Sequence, residues 1–416
     1  MSEKKRMINS DLEDRMTLDW QGTRAFFYGM GYNDEDIEKP RVGIMNTWNE
    51  INPGHIHQQP LAQAVREGII EKGGLPFLFY GVNLCDCVGG GDYVLPSRDL
   101  LVNEIELNAK AHHLDAMVLI GTCDKVVPAM LMAAGRVNIP TVIVTGGYME
   151  TPYLDGEHVD FIDIGASISK VKEGKMSMEK FNELIHVCGP CKGACGMMGT
   201  ANTMSMLTET MGMSLPGNST TAAVSGKLIN LSREAGRHVM DLWEKNIRPR
   251  DIITEKAITN AIRVCMAIGG SSNTIIHIPA VATEACLDMD CSSIYAEASC
   301  EVPLLIGIRP NGPYCLADFE LAGDVYKRQS IHLFRRTADV FFFLPLEGVE
   351  PICLQFFRHA PRQLEAGREA HQLGFSQQCV LRVQQTQQPS VPRGVHVPSQ
   401  FLLGAFDLLG QLWIPP

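Results

Sequence analysis

Residues 119–130, LIGTCDKVVPAM, place a thiol, a carboxylate and an amine side by side where an apolar run ends and a helical pattern begins. Given partners, Cys123, Asp124 and Lys125 can each serve a metal. Asp86 is a second carboxylate just beyond an apolar run, and hard oxygen donors of this kind suit Mg²⁺. Helix capping is the competing use for both, since Asp is a favoured N-cap. Lys125 as an ammonium would repel a cation. Carbamylated, it would offer a carboxylate-like oxygen; the alternative is an ordinary salt-bridging lysine.

The other thiols decide whether Cys123 has company. Cys188, Cys191 and Cys195 form C-x2-C-x3-C, and Cys85 and Cys87 flank Asp86 in LCDC. Thiolates at this density hold Zn²⁺ or an iron–sulfur cluster, and spacing does not choose between them. A closed four-cysteine zinc site would be structural. A cluster with fewer protein ligands leaves one iron open as a Lewis acid toward a hydroxyl group. A soft cluster beside a hard Mg²⁺ site would grip a substrate carrying both a carboxylate and hydroxyls. Cys265, Cys286, Cys291, Cys300 and Cys315 stand singly among apolar neighbours and are expected to be buried small hydrophobes.

Three segments rich in Gly, Asn, Ser and Thr complete the set: 197–204 (MMGTANTM), 215–224 (LPGNSTTAAV) and 268–278 (IGGSSNTIIHI). At helix N-termini their backbone N–H groups would cradle an anionic, hydroxylated ligand, with Ser271 and Asn273 as candidate substrate contacts. Plain turn formation and capping is the alternative. None matches a nucleotide-binding fingerprint.

These residues need elements to carry them, and the pattern supplies strands alternating with helices. Strands are expected at 41–46, 76–82, 115–121 and 140–147, with helices at 58–74, 97–113 and 128–137. Short Val/Ile-rich runs separated by helices predict a three-layer α/β/α fold with a mostly parallel sheet. Ligands bind beyond the carboxyl ends of such strands. Cys85 to Cys87, Cys123 to Lys125, and Gly146 with Gly147 all fall at that edge.

Bulk properties narrow the partners. The 416-residue chain is 45% hydrophobic and 20% charged, which are globular values, and its formal charge of −11 argues against nucleic acid. No apolar run approaches the roughly 20 residues of a membrane span. The first fifteen residues have no secretory apolar core, so a cytoplasmic protein acting on a small molecule is expected. Thirteen cysteines in a reducing compartment point to metal binding or burial rather than disulfides.

Taken in order, TWNEINPGHIH, VREGIIEKGGLPF, LPSRDL, GTCDKVVPAMLMAAGRVNIPTVIVTGG, GACGMMGTANTM, LPGNS and IGGSSNT resemble the dihydroxy-acid dehydratase/6-phosphogluconate dehydratase family over residues 1 to about 324. The resemblance implies an iron–sulfur cluster (4Fe-4S or 2Fe-2S), Mg²⁺ and a homodimer. It makes Cys123 and Cys195 cluster ligands, and Asp86, Asp124 and carbamylated Lys125 Mg²⁺ ligands. The implied reaction is elimination of water from a 2,3-dihydroxy acid to a 2-keto acid in branched-chain amino-acid biosynthesis. A sugar-acid (aldonate) dehydratase, toward which MGTA at 198–201 leans, and a non-catalytic zinc protein are the alternatives.

Three departures stand out. Gly54 occupies a position where many members carry a cluster cysteine, leaving Cys191, Cys85 or Cys87 as the third ligand. Cys87 replaces a usual Gly, and the segment before LPSR is shortened. The family's C-terminal β-barrel-like domain, with the last Mg²⁺ carboxylate and the base Ser, is not recognisable in 325–416. That stretch lacks Met and Asn, is rich in Gln, and opens on VYKRQ, which resembles translated sequencing-adapter sequence. It is expected to be non-native or unstructured, the alternative being a divergent small domain.

Overall fold

In a computed structural model of the protein, residues 18–89 and 91–325 are described. The expectation for 325–416 therefore falls, from residue 326 onward, outside the described residues. Helices α1 (Leu18–Gly29) and α2 (Asp34–Ile37) lead into β1 (Arg41–Asn46), α3 (Gln58–Glu71), β2 (Leu75–Tyr80) and α4 (Gly91–Ala111). There follow β3 (Ala116–Gly121), α5 (Val126–Val137), β4 (Thr141–Thr145) and a small hairpin, β5 (Tyr153–Leu154) with β6 (Glu157–His158). The remainder is helical: α6 (Phe161–Lys172), α7 (Met178–Cys188), α8 (Thr200–Thr210), α9 (Gly226–Lys245) and α10 (Pro249–Ile252). Last come α11 (Glu255–Ala267), α12 (Thr274–Glu284), α13 (Cys291–Glu301) and α14 (Leu316–Val325).

The four long strands form one parallel sheet in the order β2-β1-β3-β4. Successive strand side chains point to opposite faces, and the two faces join two different cores. Val42, Ile44, Ala116, Val118, Ile120, Val142 and Val144 pack with Leu61, Val65 and Ile69 of α3 and Val239 and Met240 of α9. Their alternates Met45, Met117, Leu119 and Ile143 pack with Leu101 and Ile105 of α4 and the apolar residues of α5, α8, α11 and α12. This is the expected three-layer α/β/α arrangement.

Two helices show how the sequence enforces it. Every residue of α5 from Val126 to Gly135 is buried, so a helix apolar on all sides fills the middle of one layer and stops at Asn138, which takes the left-handed conformation. The opposite layer is built on a glycine pair. A Cβ on Gly68 would lie 2.1 Å from the Arg233 carbonyl oxygen, and one on Gly236 would lie 2.2 Å from that of Val65. Helices α3 and α9 thus cross with backbone against backbone.

The expected elements are all present, with ends shifted by a few residues. The 58–74 helix ends at Glu71 because Gly73 has φ +81°. The 97–113 helix begins earlier, at Gly91, and accommodates Pro96 within it. Among the single cysteines, Cys265, Cys291 and Cys315 are buried, whereas Cys286 and Cys300 are exposed. Cys286 sits at φ +62° just past α12, and Cys300 lies on the outer side of α13, so local apolar sequence did not mean burial there.

Candidate functional site

Parallel strands bring their carboxyl ends to one edge, and the loops leaving that edge are tied to each other by buried polar contacts. Asn52 Nδ2 donates to Asn83 Oδ1 at 2.9 Å, and Asn83 Nδ2 donates to the Thr47 carbonyl. Gln58 Nε2 donates to Thr122 Oγ1 at 2.8 Å, and His57 Nε2 lies 2.6 Å from the Gly146 oxygen. The Gly193 and Ala194 N–H groups donate to Pro53 and Gly147 oxygens at 3.1 and 3.0 Å, which brings the Cys195 loop to the same place.

Cys123 stands at the middle of this junction. Its N–H donates to His55 Nε2 at 3.2 Å and its thiol to Asn52 Oδ1 at 3.4 Å. A Cβ at Gly54 would lie 2.5 Å from Cys123 Sγ, so the position where many family members carry a cysteine is in direct contact with it. His55 is fully buried, and desolvation pushes its pKa down to about 3.

Four thiols are strung together here. Cys85 neighbours both Cys123 and Cys87, and Cys87 also neighbours Cys195. The neighbouring Cys123 and then Cys87 favour the Cys85 thiolate, and the neighbouring Cys87 favours that of Cys195. The neighbouring Cys85 and burial raise Cys123, and the neighbouring Cys195 and Cys85 raise Cys87. The expected pair Cys123 and Cys195 is thus bridged by Cys85 and Cys87. Cys191 is not in the string; it accepts the Glu150 N–H at 3.4 Å. Cys188 is buried and donates to the Asp160 carbonyl at 3.2 Å. Among the described residues Cys188, Cys191 and Cys195 do not form a group of three donor atoms within 4.8 Å of one another.

The carboxylates gather on the neighbouring side of the same turn. Lys125 Nζ lies 3.1 Å from Asp124 Oδ1 and 3.3 Å from Asp86 Oδ2. Asp124 caps nothing, because the N-cap of α5 is Lys125 and no side chain closes it. Its Oδ1 is buried without a well-formed hydrogen bond, with the Lys125 ammonium and His277 Nε2, at 3.9 Å, beside it. Burial raises the Asp124 pKa, with Lys125 opposing. His277 is fully buried at the start of α12 and is held by Arg98 Nη1 at 3.1 Å from its Nδ1; burial first, then Arg98 and Lys125, lower its pKa to about 3.

The donor sets differ in kind. An orphaned buried carboxylate oxygen and a second carboxylate suit a hard divalent cation such as Mg²⁺, and the Lys125 ammonium between them opposes one unless it is carbamylated. Among the described residues, none of the four thiols belongs to a group of three donor atoms within 4.8 Å of one another. Soft thiol donors in this number suit zinc or an iron–sulfur cluster.

Ser271 and Asn273 are placed together against the start of α8. Ser271 Oγ lies 2.9 Å from Thr200 Oγ1, and Asn273 Nδ2 donates to the same oxygen at 2.9 Å. Segments 197–204 and 268–278 do open helices α8 and α12, whereas 215–224 forms a loop locked by Asn218 onto Thr145 and by Ser219 onto Glu209. Sequence reasoning passed over Asn52, His55, Asn83, Arg98 and His277. The polar density of NPGHIHQ directly after a buried strand was the available signal for the first two. Arg98 and His277 meet across 179 positions and had none.

Residues 39–327 match the family described as Dihydroxy-acid/6-phosphogluconate dehydratase N-terminal. The chain is 44% identical over 306 residues to a dihydroxy-acid dehydratase of Methanosphaera stadtmanae, covering 73% of this chain and 56% of the relative. It is 42% identical to dihydroxy-acid dehydratase 1 of Methanosarcina acetivorans and 40% identical to that of Pyrococcus furiosus, each over 73% of this chain and 55% of the relative. The chain spans about half the length of the curated relatives it matches. Its sheet-edge thiols and carboxylates lie wholly within the matched region, and the chain belongs to the dihydroxy-acid/6-phosphogluconate dehydratase family.

Proposed function

We propose that this chain is the metal-binding half of a hydro-lyase that removes water from a 2,3-dihydroxy carboxylic acid to give a 2-keto acid, in branched-chain amino-acid biosynthesis. One observation carries the reading. Cys123 and Asp124, adjacent in sequence, face a thiol string and a carboxylate–amine cluster respectively. Relatives named dihydroxy-acid dehydratase support the substrate class.

Cys123 and Cys195 would hold an iron–sulfur cluster, with Cys85 or Cys87 as the third ligand in place of position 54. Asp86, Asp124 and Lys125 would hold Mg²⁺. When bound, the two centres would supply Lewis acidity toward the departing hydroxyl and the substrate carboxylate. The chain's own residues do the positioning. His55 and Asn52 fix the Cys123 backbone and thiol, and the Arg98–His277 pair seats a buried nitrogen against Asp124. Low accessibility around Asp124 strengthens its field on a bound anion's partner cation. In the same reading the base is a Ser in the half of the relatives that this chain does not match, the assembly is a homodimer and the compartment is the cytoplasm.

Purification under anaerobic conditions tests this. Brown protein with iron and acid-labile sulfide is expected, and both should be lost in Cys123→Ser and Cys195→Ser while the fold persists. Colourless wild-type protein holding zinc alone would refute it.

A further inference from the structure

A second group of ligand atoms converges that shares no residue with the thiol string. His158 at the end of β6, Cys315 just before α14 and Asp318 in its first turn bring one nitrogen, one sulfur and one oxygen within 4.8 Å of one another. His158 Nε2 is 3.4 Å from Asp318 Oδ2 and 3.8 Å from Cys315 Sγ. Both separations are long for hydrogen bonds of a histidine ring. They match the edges of a zinc tetrahedron: with Zn–N and Zn–O near 2.1 Å and Zn–S near 2.3 Å, the N···O and S···N edges come to about 3.4 and about 3.6 Å.

The chemistry agrees with the geometry. A thiolate, a carboxylate and a neutral imidazole together cancel the charge of a dication, and the mixture of soft and hard donors is one that Zn²⁺ accepts. Cys315 is fully buried and His158 and Asp318 only partly exposed, so the sulfur is shielded while one side admits a water as fourth ligand. The imidazole is already oriented: the Tyr153 ring stacks on it with centroids 4.0 Å apart, and its other nitrogen is buried without a partner, so its polar contacts run through Nε2. The carboxylate is oriented too, since Asp318 Oδ2 accepts the Cys315 N–H at 2.9 Å.

We propose that His158, Cys315 and Asp318 form a Zn²⁺ site, completed by a water, that fastens the start of α14 to the β5–β6 hairpin. The two segments are already aligned without metal by Arg309, whose Nε donates to Asp160 Oδ2 at 2.7 Å and whose Nη2 reaches Asp163. The metal would lock a junction that salt bridges have brought into register.

Co²⁺ serves as the probe, since thiolate ligation gives a sulfur-to-cobalt charge-transfer band. To silence the thiol string, the full chain carrying Cys123→Ser and Cys195→Ser is titrated with CoCl₂ and back-titrated with ZnCl₂. One equivalent of Co²⁺ with that band, displaced by Zn²⁺, is expected. Adding Cys315→Ser should abolish the band, and adding His158→Gln should weaken binding at least about tenfold. Zn²⁺ should also slow amide exchange in 153–158 and 308–320. If Cys315→Ser prevents folding, His158→Gln and the exchange measurement decide. Undiminished binding in either variant, or binding without the charge-transfer band, overturns the proposal.

Discussion

Replacing Gly68 by Ala tests the architecture that positions the site. The new Cβ would stand 2.1 Å from the Arg233 oxygen and 3.0 Å from the Arg237 nitrogen. Comfortable contact needs about 3.5 Å, so α3 must withdraw from α9 by more than about 1 Å. Both obstacles are backbone, and no rotamer change can relieve them. Overpacking a core costs about 1–3 kcal/mol, and a backbone-on-backbone collision belongs at the upper end, near 3 kcal/mol. For a domain of this size about 1 kcal/mol moves Tm by about 2–4 °C, so a drop of about 6–12 °C is expected. Gly165 in α6 is the control: a Cβ there meets nothing within 4 Å, and relief of the glycine entropy penalty should stabilise by about 0.5–1 kcal/mol. On the proposed function the displacement should also reach the iron site, because α3 begins at Gln58, whose amide bonds Thr122 beside Cys123. Thermal unfolding followed by circular dichroism, with iron content measured in parallel, reads both effects. Equal Tm values for Gly68→Ala and Gly165→Ala would refute the close crossing.

Two further outcomes follow from buried polar groups. Glu209 receives three donors, from Gly217 N at 2.6 Å, Ser219 N at 2.9 Å and Ser219 Oγ at 2.6 Å, while burial raises its pKa against them. Glu209→Gln must turn an NH₂ toward an N–H and should cost about 1–3 kcal/mol in urea denaturation; a gain in stability would mean that burial wins and the group is protonated. His55, with its pKa near 3 against an ordinary 6.5, excludes a proton that the unfolded chain binds. Stability should therefore be complete above pH 6.5 and fall on acidification toward pH 3, by about 1.4 kcal/mol per pH unit for this one group. His55→Gln should flatten the urea-midpoint profile between pH 6.5 and 4 by one proton's slope, and parallel profiles would show that His55 is not responsible.

The sheet was legible because burial on both faces writes continuous apolar runs, and 41–46 and 115–121 differ from β1 and β3 by a residue at most. The placement of Cys123, Asp124, Lys125 and Asp86 followed from parallel topology alone. Which cysteines meet did not. Cys191 sits four positions from Cys195 and looks equivalent to it, yet the chain turns at Gly193, with φ +131°, and the two sulfurs part. Cys85 and Cys87 reach the string through a loop whose path depends on the Asn52–Asn83 contact, a pairing between loops that no local pattern encodes. The same limit applies to His158 and Cys315, which are brought together by a hairpin and a helix start far apart in sequence.

Cys123 and Asp124 share a peptide bond, and α5 behind them is packed on every side. Whatever fills the sulfur side fixes the torsions that aim the oxygen side, and the converse holds equally. On the proposed function, occupancy of the two metal centres is then thermodynamically linked: each should tighten the other by the same factor, whichever is loaded first. Assembly of the holoprotein becomes a cooperative event, and stripping one metal should loosen the grip on its neighbour.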